Sequence, residues 1–187
     1  GNTILTAGDV NVTGTAEFAV SKYDRDLGTI TDATLNSYAF NLQGGFSVGT
    51  EIDMNLAGAI AVVTVNDNAD NAIYTAIKVQ DANVTASTGT DTFGLDGQLD
   101  IDYYHSNSAA DGYDRLDWTN AFEGGVIWNP GANLPTPANL DIDFTSDMHY
   151  RVAGTVSGDQ NNGNTILTAG DVNVTGTAEF AVSKYDR

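Results

Sequence analysis

Apolar and polar residues alternate along most of this chain with a period of two. The even positions from 10 to 20 read Val, Val, Gly, Ala, Phe and Val, whereas the odd positions between them are mainly polar. Successive side chains of a β-strand point to opposite faces, so residues 9–22 are predicted to form a strand with one apolar face. The same alternation predicts further strands at 34–46, 50–65, 72–85, 92–104, 117–128 and 140–156.

Turn-forming sequences separate these predicted strands. They are NDNADN at 66–71, STGTD at 87–91, SNSAADG at 106–112 and NPGANLPTP at 129–137. All three prolines lie in the last of these turns, so none interrupts a strand. About seven strands joined by Gly, Asn and Asp turns predict an all-β fold, either a two-layer antiparallel sandwich or a closed sheet.

One segment of 25 residues, GNTILTAGDVNVTGTAEFAVSKYDR, occurs twice without a single difference. The copies occupy residues 1–25 and 163–187, so they are offset by 162 residues. Repeats inside a domain diverge because each copy packs against different neighbours, so identical copies indicate either a recent duplication or a deliberate joining. Their spacing predicts a natural unit of 162 residues. The expected organisation is an N-terminal arm at 1–25, a β-body at 26–162 and a second copy of the arm at 163–187.

A strand that is present twice suggests that one copy can stand in for a strand of a neighbouring subunit. A sandwich that lacks one strand has an apolar groove, which a strand from another subunit can fill through main-chain hydrogen bonds. We expect residues 163–187 to fill the groove of their own body and residues 1–25 to serve the next subunit. The expected groove-filling residues are Val10, Val12, Gly14, Ala16, Phe18 and Val20, with Val172, Val174, Gly176, Ala178, Phe180 and Val182 in the second copy.

The stretch VNVTGTAEFAV, with alternating apolar residues around Gly14, resembles the donor strands of pilins that polymerise by strand exchange. Chaperone–usher pilins often carry a disulfide, but this chain has no cysteine. It is closer in character to cysteine-free archaeal bundling pili and bacterial biofilm-matrix fibres. The resemblance implies an antiparallel β-sandwich of jelly-roll or Ig-like type, completed by a donor strand. It also implies an extracellular subunit that forms a cell-surface filament with identical subunits, head to tail.

The charge of the chain narrows the choice of partners. Acidic residues number 25 and basic residues 7, giving a net charge of −18. Such a field repels nucleic acid and anionic lipid, and it suits a secreted protein in salty water. No apolar run of 18 residues is present to form a membrane-spanning helix. We therefore expect no nucleic-acid partner and no insertion into a membrane.

The sequence offers little support for catalysis. It contains no HExxH, P-loop or GxGxxG motif, and its two histidines, His105 and His149, lie far apart. The aspartate pairs at 100/102 and 141/143 fall on the polar side of predicted strands, in a chain with 21 aspartates. We expect no enzyme activity, no catalytic residues and no required cofactor.

Two kinds of modification or ligand site are suggested by short motifs. The oxygen-rich turn NDNADN makes Asp67, Asn68 and Asp70 candidate calcium ligands, although a solvated turn explains them as well. Three NVT sequons make Asn11, Asn83 and Asn173 candidate glycosylation sites.

Two other functions fit parts of the sequence. The first is a surface adhesin built from tandem 162-residue modules and stabilised by calcium, in which residues 163–187 begin the next module. The second is an outer-membrane protein, since long alternating strands and aromatic residues fit one, but the duplicated strand has no role there. The mass of the denatured natural chain separates the filament subunit from the tandem adhesin.

Overall fold

A computed structural model describes residues 3–7, 10–28, 30–48, 52–90, 93–158, 165–169 and 171–186. Within these ranges the strands are β1 (Thr3–Ala7), β2 (Val10–Arg25), β3 (Ala33–Val48), β4 (Ile52–Asp67), β5 (Ala72–Thr90), β6 (Phe93–Ala109), β7 (Met148–Ser157), β8 (Thr165–Ala169), β9 (Val172–Thr175) and β10 (Thr177–Tyr185). Short 3₁₀ helices lie at Glu123–Gly125 and Pro130–Asn133. The expected all-β class is confirmed. Among the described residues no helix is long and apolar enough to cross a membrane.

The described strands form one antiparallel sheet rather than the two layers of a sandwich. Strands β1 to β7 pair in chain order, and β10 pairs with the far side of β7. β8 pairs with β6 at Phe93–Leu95, beyond the end of β7, and forms a hairpin with β9. The body is thus a meander with one copy of the repeated segment at each side.

Five of the seven predicted strands are confirmed, at β2 to β6. The predicted strand at 117–128 is wrong, and of the one at 140–156 only the last part is a strand, β7. Residues 110–147, which we call the cover segment, have no strand and hold one isolated bridge, between Trp128 and Ile142. Gly124 and Gly125 adopt positive φ values of 77° and 68°, which a strand does not permit.

The cover segment lies across one face of the sheet and forms the core with it. Eight of its apolar side chains are buried, and Trp118 is fully enclosed with its Nε1 donating to Asn107 Oδ1 at 3.0 Å. The alternation of Trp118 and Phe122 therefore reflects burial of an irregular segment and not a strand. The core residues of this segment are Leu116, Trp118, Ala121, Phe122, Leu134, Leu140, Ile142 and Phe144.

The covered face is the less apolar of the two faces. Its buried residues include Leu35, Ala39, Ala61 and Val63, together with the polar Lys78 and His105. The opposite face, which carries the even-numbered residues of β2, β3 and β4 and is the more apolar in sequence, has no described segment over it, and Phe18 is 67% exposed. We call this the open face. Its described members include Phe18, Val20, Phe40, Leu42, Leu56, Ile60, Val62, Ile77, Val79, Leu99, Tyr104, Val152, Val156 and Val182.

Candidate strand-docking site

The repeated segment pairs with two different strands of the body. In the first copy β2 pairs with β3 along its whole length, placing Phe18 opposite Phe40. In the second copy β10 pairs with β7, placing Phe180, the counterpart of Phe18, opposite Gly154. One amino-acid sequence is therefore complementary to both sides of the body.

The segment presents the same face in both places. In the first copy, Glu17 accepts hydrogen bonds from Thr136 N at 3.0 Å and Thr136 Oγ1 at 2.9 Å, so the odd side chains meet the cover segment. In the second copy, Ala181 lies opposite Ala153, on the side of the sheet that the cover segment occupies. The even side chains thus lie on the open face at both edges.

Phe180 covers a glycine of β7. A Cβ atom built on Gly154 would stand 3.1 Å from Phe180 Cζ and 2.1 Å from Asp100 O, so the ring and the β6 backbone fill the space beside this glycine. Phe180 is half-buried there, whereas Phe18 is 67% exposed beside Phe40. Aromatic coverage of a glycine is one of the devices that fix the register of paired strands.

A carboxylate contact closes the far end of β10. Asp186 accepts from Arg115 and lies with Oδ1 2.6 Å from His149 Nε2, while its backbone N donates to Asp147 O at 2.8 Å. Arg115 is held in turn by donation from Nε to Ser146 O at 3.0 Å. We call Arg115 and His149 the carboxylate clamp of the β7 edge.

The clamp has a defined proton arrangement. His149 Nδ1 lies 3.2 Å from Arg115 Nη1, which only donates, so Nδ1 accepts and the proton stands on Nε2 facing Asp186. Desolvation lowers the pKa of His149, and Arg115 and Lys184 lower it further, in keeping with a neutral ring. Asp24, the counterpart of Asp186, instead accepts from Thr34 Oγ1 at 2.9 Å. The same carboxylate therefore has a different partner at each edge.

The central glycine of the segment behaves differently in its two copies. Gly14 lies within the continuous strand β2, whereas Gly176 has a φ of 148° and separates β9 from β10. No heavy atom of the described part of the chain lies within 4 Å of where a Cβ on Gly176 would stand, so lack of space there is not what requires glycine. The positive φ requires it, because other residues rarely adopt that conformation.

The groove-filling residues are placed as follows. The side chains of Val10, Val12, Val172 and Val174 lie outside the described residues. Ala16, Phe18, Val20, Ala178 and Val182 are exposed on the open face, and Phe180 is half-buried. Among the described strands β10 has one neighbour, β7, and not the two that a filled groove would give it. The structure thus differs from the expected slot, because β10 extends the sheet at its edge.

The candidate calcium ligands form the turn between β4 and β5. Asp67 Oδ1 accepts from Ala69 N at 3.0 Å and Asp70 N at 3.2 Å, and Asn68 donates to Asp32 Oδ1 at 3.4 Å. These bonds account for the turn composition by backbone capping. Among the described residues no group of three acidic or histidine side chains is positioned to hold a metal ion.

The side chains of two of the three sequon asparagines, Asn11 and Asn83, are described by the structure. Asn83 is half-buried on β5 and donates to Asp100 on β6, so its side chain already links these two strands. Asn11 is exposed on β2 and pairs with Ser47 across to β3. The side chain of Asn173 lies outside the described residues.

Arg115, His149 and buried His105 were not singled out as site residues from the sequence. The scarcity of positive charge could have pointed to Arg115, because the body between the two copies contains only Lys78, Arg115 and Arg151 as basic residues. Each of these three makes hydrogen bonds that join distant parts of the chain.

Comparison with known proteins gives no relative: no family model, curated protein or solved structure matches this chain.

Proposed function

We propose that this chain is a structural subunit of an extracellular filament, in which the arm of one subunit docks on β7 of the next. The observation that carries the proposal is the pairing of one 25-residue sequence with β3 in one copy and with β7 in the other. A strand with two edges can make both pairings at once. The arm would then remain in its own sheet while it extends the sheet of a neighbour, which is a form of donor-strand complementation at an edge.

The direction of the strands supports head-to-tail assembly. Six strands, β2 to β7, alternate in direction, so β10 runs the same way as β2. Residues that lie opposite one another across the sheet are Phe18, Phe40, Ile60, Val79, Tyr104, Val152 and Val182. Val182 is the counterpart of Val20, and it ends the line that begins at Phe18. The second copy of the segment is therefore displaced by two residues along the strand direction relative to the first copy. A repeated contact of this kind joins different surfaces and produces a filament when it does not close.

The small displacement of the segment, two residues across the sheet, also argues against pairing of β2 with β7 of the same chain. Two residues of about 3.4 Å over six strands of about 4.8 Å correspond to a strand tilt of about 13°. Sheets that close on themselves have tilts of about 35–45°. The register therefore favours a neighbour as the partner of the β7 edge.

The first strand of the arm fits the same edge. β6 has 17 residues and β7 has 10, so β7 leaves the first part of β6 unpaired. In the second copy β8 pairs with this part of β6, at Phe93–Leu95. β1 has the sequence of β8 and would take this place in an assembled filament, so the whole arm would contribute to the contact.

A second candidate is a tandem surface adhesin, and the presence of both copies in one polypeptide favours it. Residues 163–187 would then be the start of the next module, and the same strand would join two modules of one chain. The intact mass of the natural protein under denaturing conditions separates the two candidates. A 162-residue unit supports the filament subunit, whereas a single chain of many modules supports the adhesin.

Filament formation should depend on whether β10 of the same chain is paired with β7. In the 187-residue chain β10 occupies this edge, so we expect no filaments by negative-stain electron microscopy. The Phe180→Asp variant places a charge over Gly154 and should release β10, which frees the edge for Phe18 of another copy. Filaments are expected from this variant and not from the Phe18→Asp, Phe180→Asp double variant.

A matched control is Thr15→Asp in the Phe180→Asp background. Thr15 is exposed on the other side of the same strand, so this change adds equal charge without altering the docking face, and filaments should persist. Hydrogen exchange of residues 177–185 verifies that β10 has been released. The proposal is wrong if the double variant polymerises as well as Phe180→Asp, or if released chains never associate.

A further inference from the structure

Two apolar lines of residues cross the open face from one side of the sheet to the other. The line of opposite residues from Phe18 to Val182 is apolar on all seven strands. A second line, four positions away on β2, runs from Gly14 through Leu56, Val84, Leu99 and Val156 to Ala178 and is apolar as well, with Asp81 and Asp102 at bulges between the two lines. Phe18, Val20 and Leu56 are 67%, 60% and 47% exposed. A sheet face of this composition is normally buried against another layer.

The size of the open face matches that of a stable interface. Seven strands spaced by about 4.8 Å, apolar over about eight residues of 3.4 Å, give roughly 900 Å² for one copy. Standard protein interfaces bury about 800 Å² on each partner. The open face is therefore of the size that standard protein interfaces use.

The charge of the chain restricts which surface two copies can share. With a net charge of −18, copies repel each other over most of their surface. In the line from Phe18 to Val182 no position is charged, and the nearest acidic residues, Asp81 and Asp102, lie at bulges where strand pairing is interrupted. An approach of two copies through this face brings together the part of the surface with the least charge.

We propose that the open face packs against the open face of a second copy about a twofold axis. The two sheets would form a β-sandwich between chains, with a spacing of about 10 Å. The cover segments would then lie on the two outer sides. This contact is independent of strand sharing, because it uses the face of the sheet and leaves the β7 edge untouched.

The 187-residue chain itself is suited to the test, since β10 already occupies its β7 edge. We expect sedimentation equilibrium without detergent to show a dimer. Leu56→Asp, which places a charge on the open face, should weaken dimerisation at least tenfold, whereas Ala57→Asp, on the adjacent residue of the covered face, should leave it unchanged. Val20→Asp serves as a second variant on an outer strand, and circular dichroism verifies that each variant keeps its sheet.

Three results would overturn the proposal. The first is a monomer in the absence of detergent. The second is a dimer that Leu56→Asp and Val20→Asp weaken no more than Ala57→Asp does. The third is a chain that binds uncharged phosphatidylcholine vesicles as a monomer and loses this binding in Leu56→Asp, which would assign the open face to a lipid surface. None of these results bears on filament formation by Phe180→Asp, so the two proposals fail separately.

Discussion

Lowering the pH from 6.5 to 4 is expected to remove up to about 3 kcal/mol of stability through one residue, His105. This side chain is 3% exposed on β6, and its Nδ1 accepts from Arg151 Nε at 2.7 Å. Its Nε2 is buried and has no hydrogen-bond partner among the residues that the structure describes. The ring is therefore held neutral in the folded protein.

The surroundings of His105 explain why protonation is unfavourable. Desolvation lowers its pKa to about 4, and the charges of Arg151 and Lys78 contribute, with Asp143 opposing them. Phe144 stacks on the ring at 5.0 Å between centroids, so water cannot reach it from that side. Lys78 is fixed beside it, with Nζ donating to Asp141 O at 2.7 Å.

The sign of the pH effect follows from proton uptake. The unfolded chain protonates His105 near pH 6.5 and the folded chain only near pH 4, so the unfolded state binds more protons between these values. Stability from this residue is fully present above pH 6.5 and is lost as the pH falls to 4. A shift of this size corresponds to about 3 kcal/mol at 1.36 kcal/mol per pH unit.

Urea unfolding at several pH values measures this effect. The His105→Gln variant keeps an acceptor for Arg151 but cannot be protonated, so its stability should change less between pH 6.5 and 4 than that of the parent chain. His149→Gln is the matched control, because His149 lies outside the core and should contribute less. Equal pH dependence in the parent and His105→Gln would show that His105 is not held neutral.

The Gly154→Ala substitution is expected to lower the free energy of unfolding by about 1–3 kcal/mol and to release β10. The added Cβ would stand 2.1 Å from Asp100 O, a backbone atom that cannot move without shifting β6. It would also press on Phe180, at 3.1 Å from Cζ. The substitution should therefore weaken both the pairing of β6 with β7 and the packing of Phe180 on β7.

Gly97→Ala is the control for Gly154→Ala. Gly97 lies on β6, and its added Cβ would stand 3.4 Å from Ser157 O, which is an ordinary contact. Urea unfolding gives the stability difference, and hydrogen exchange of β10 shows whether docking is lost. If Gly154→Ala and Gly97→Ala change the free energy of unfolding and the hydrogen exchange of β10 equally, then the packing of Phe180 on Gly154 does not hold β10 in place.

The long strands could be predicted from the sequence because their signals are local. Alternation in β2 to β6 and the turn at 66–71 involve neighbouring residues, and Asp67 caps that turn with its own carboxylate. Which face is covered depends instead on the cover segment, whose Trp118 reaches Asn107 on β6. Alternation separates the two faces of a strand, but it does not say which of them another segment will bury.

The docking site could be predicted only in part. The repeat drew attention to the segment, and its alternation singled out Phe18 and Phe180, of which Phe180 lies over Gly154 of β7. The carboxylate clamp consists of Arg115 and His149, which are 34 residues apart along the chain. It binds Asp186, which lies 37 residues after His149. No spacing rule connects such residues, because the meander and the cover segment bring them together.

Crosslinking between residues 19 and 153 distinguishes strand sharing between two chains from closure of the sheet within one chain. Ala181, the counterpart of Ala19, lies opposite Ala153 in the β7–β10 pair, and opposite Cβ atoms are about 4.5–5.5 Å apart. The chain has no cysteine, so Ala19→Cys and Ala153→Cys can be introduced into the Phe180→Asp variant and joined by a short thiol-reactive crosslinker. Strand sharing predicts a ladder of covalent oligomers on a denaturing gel. Crosslinked monomers alone would show that β2 closes onto β7 of its own chain, and would rule out strand sharing between chains.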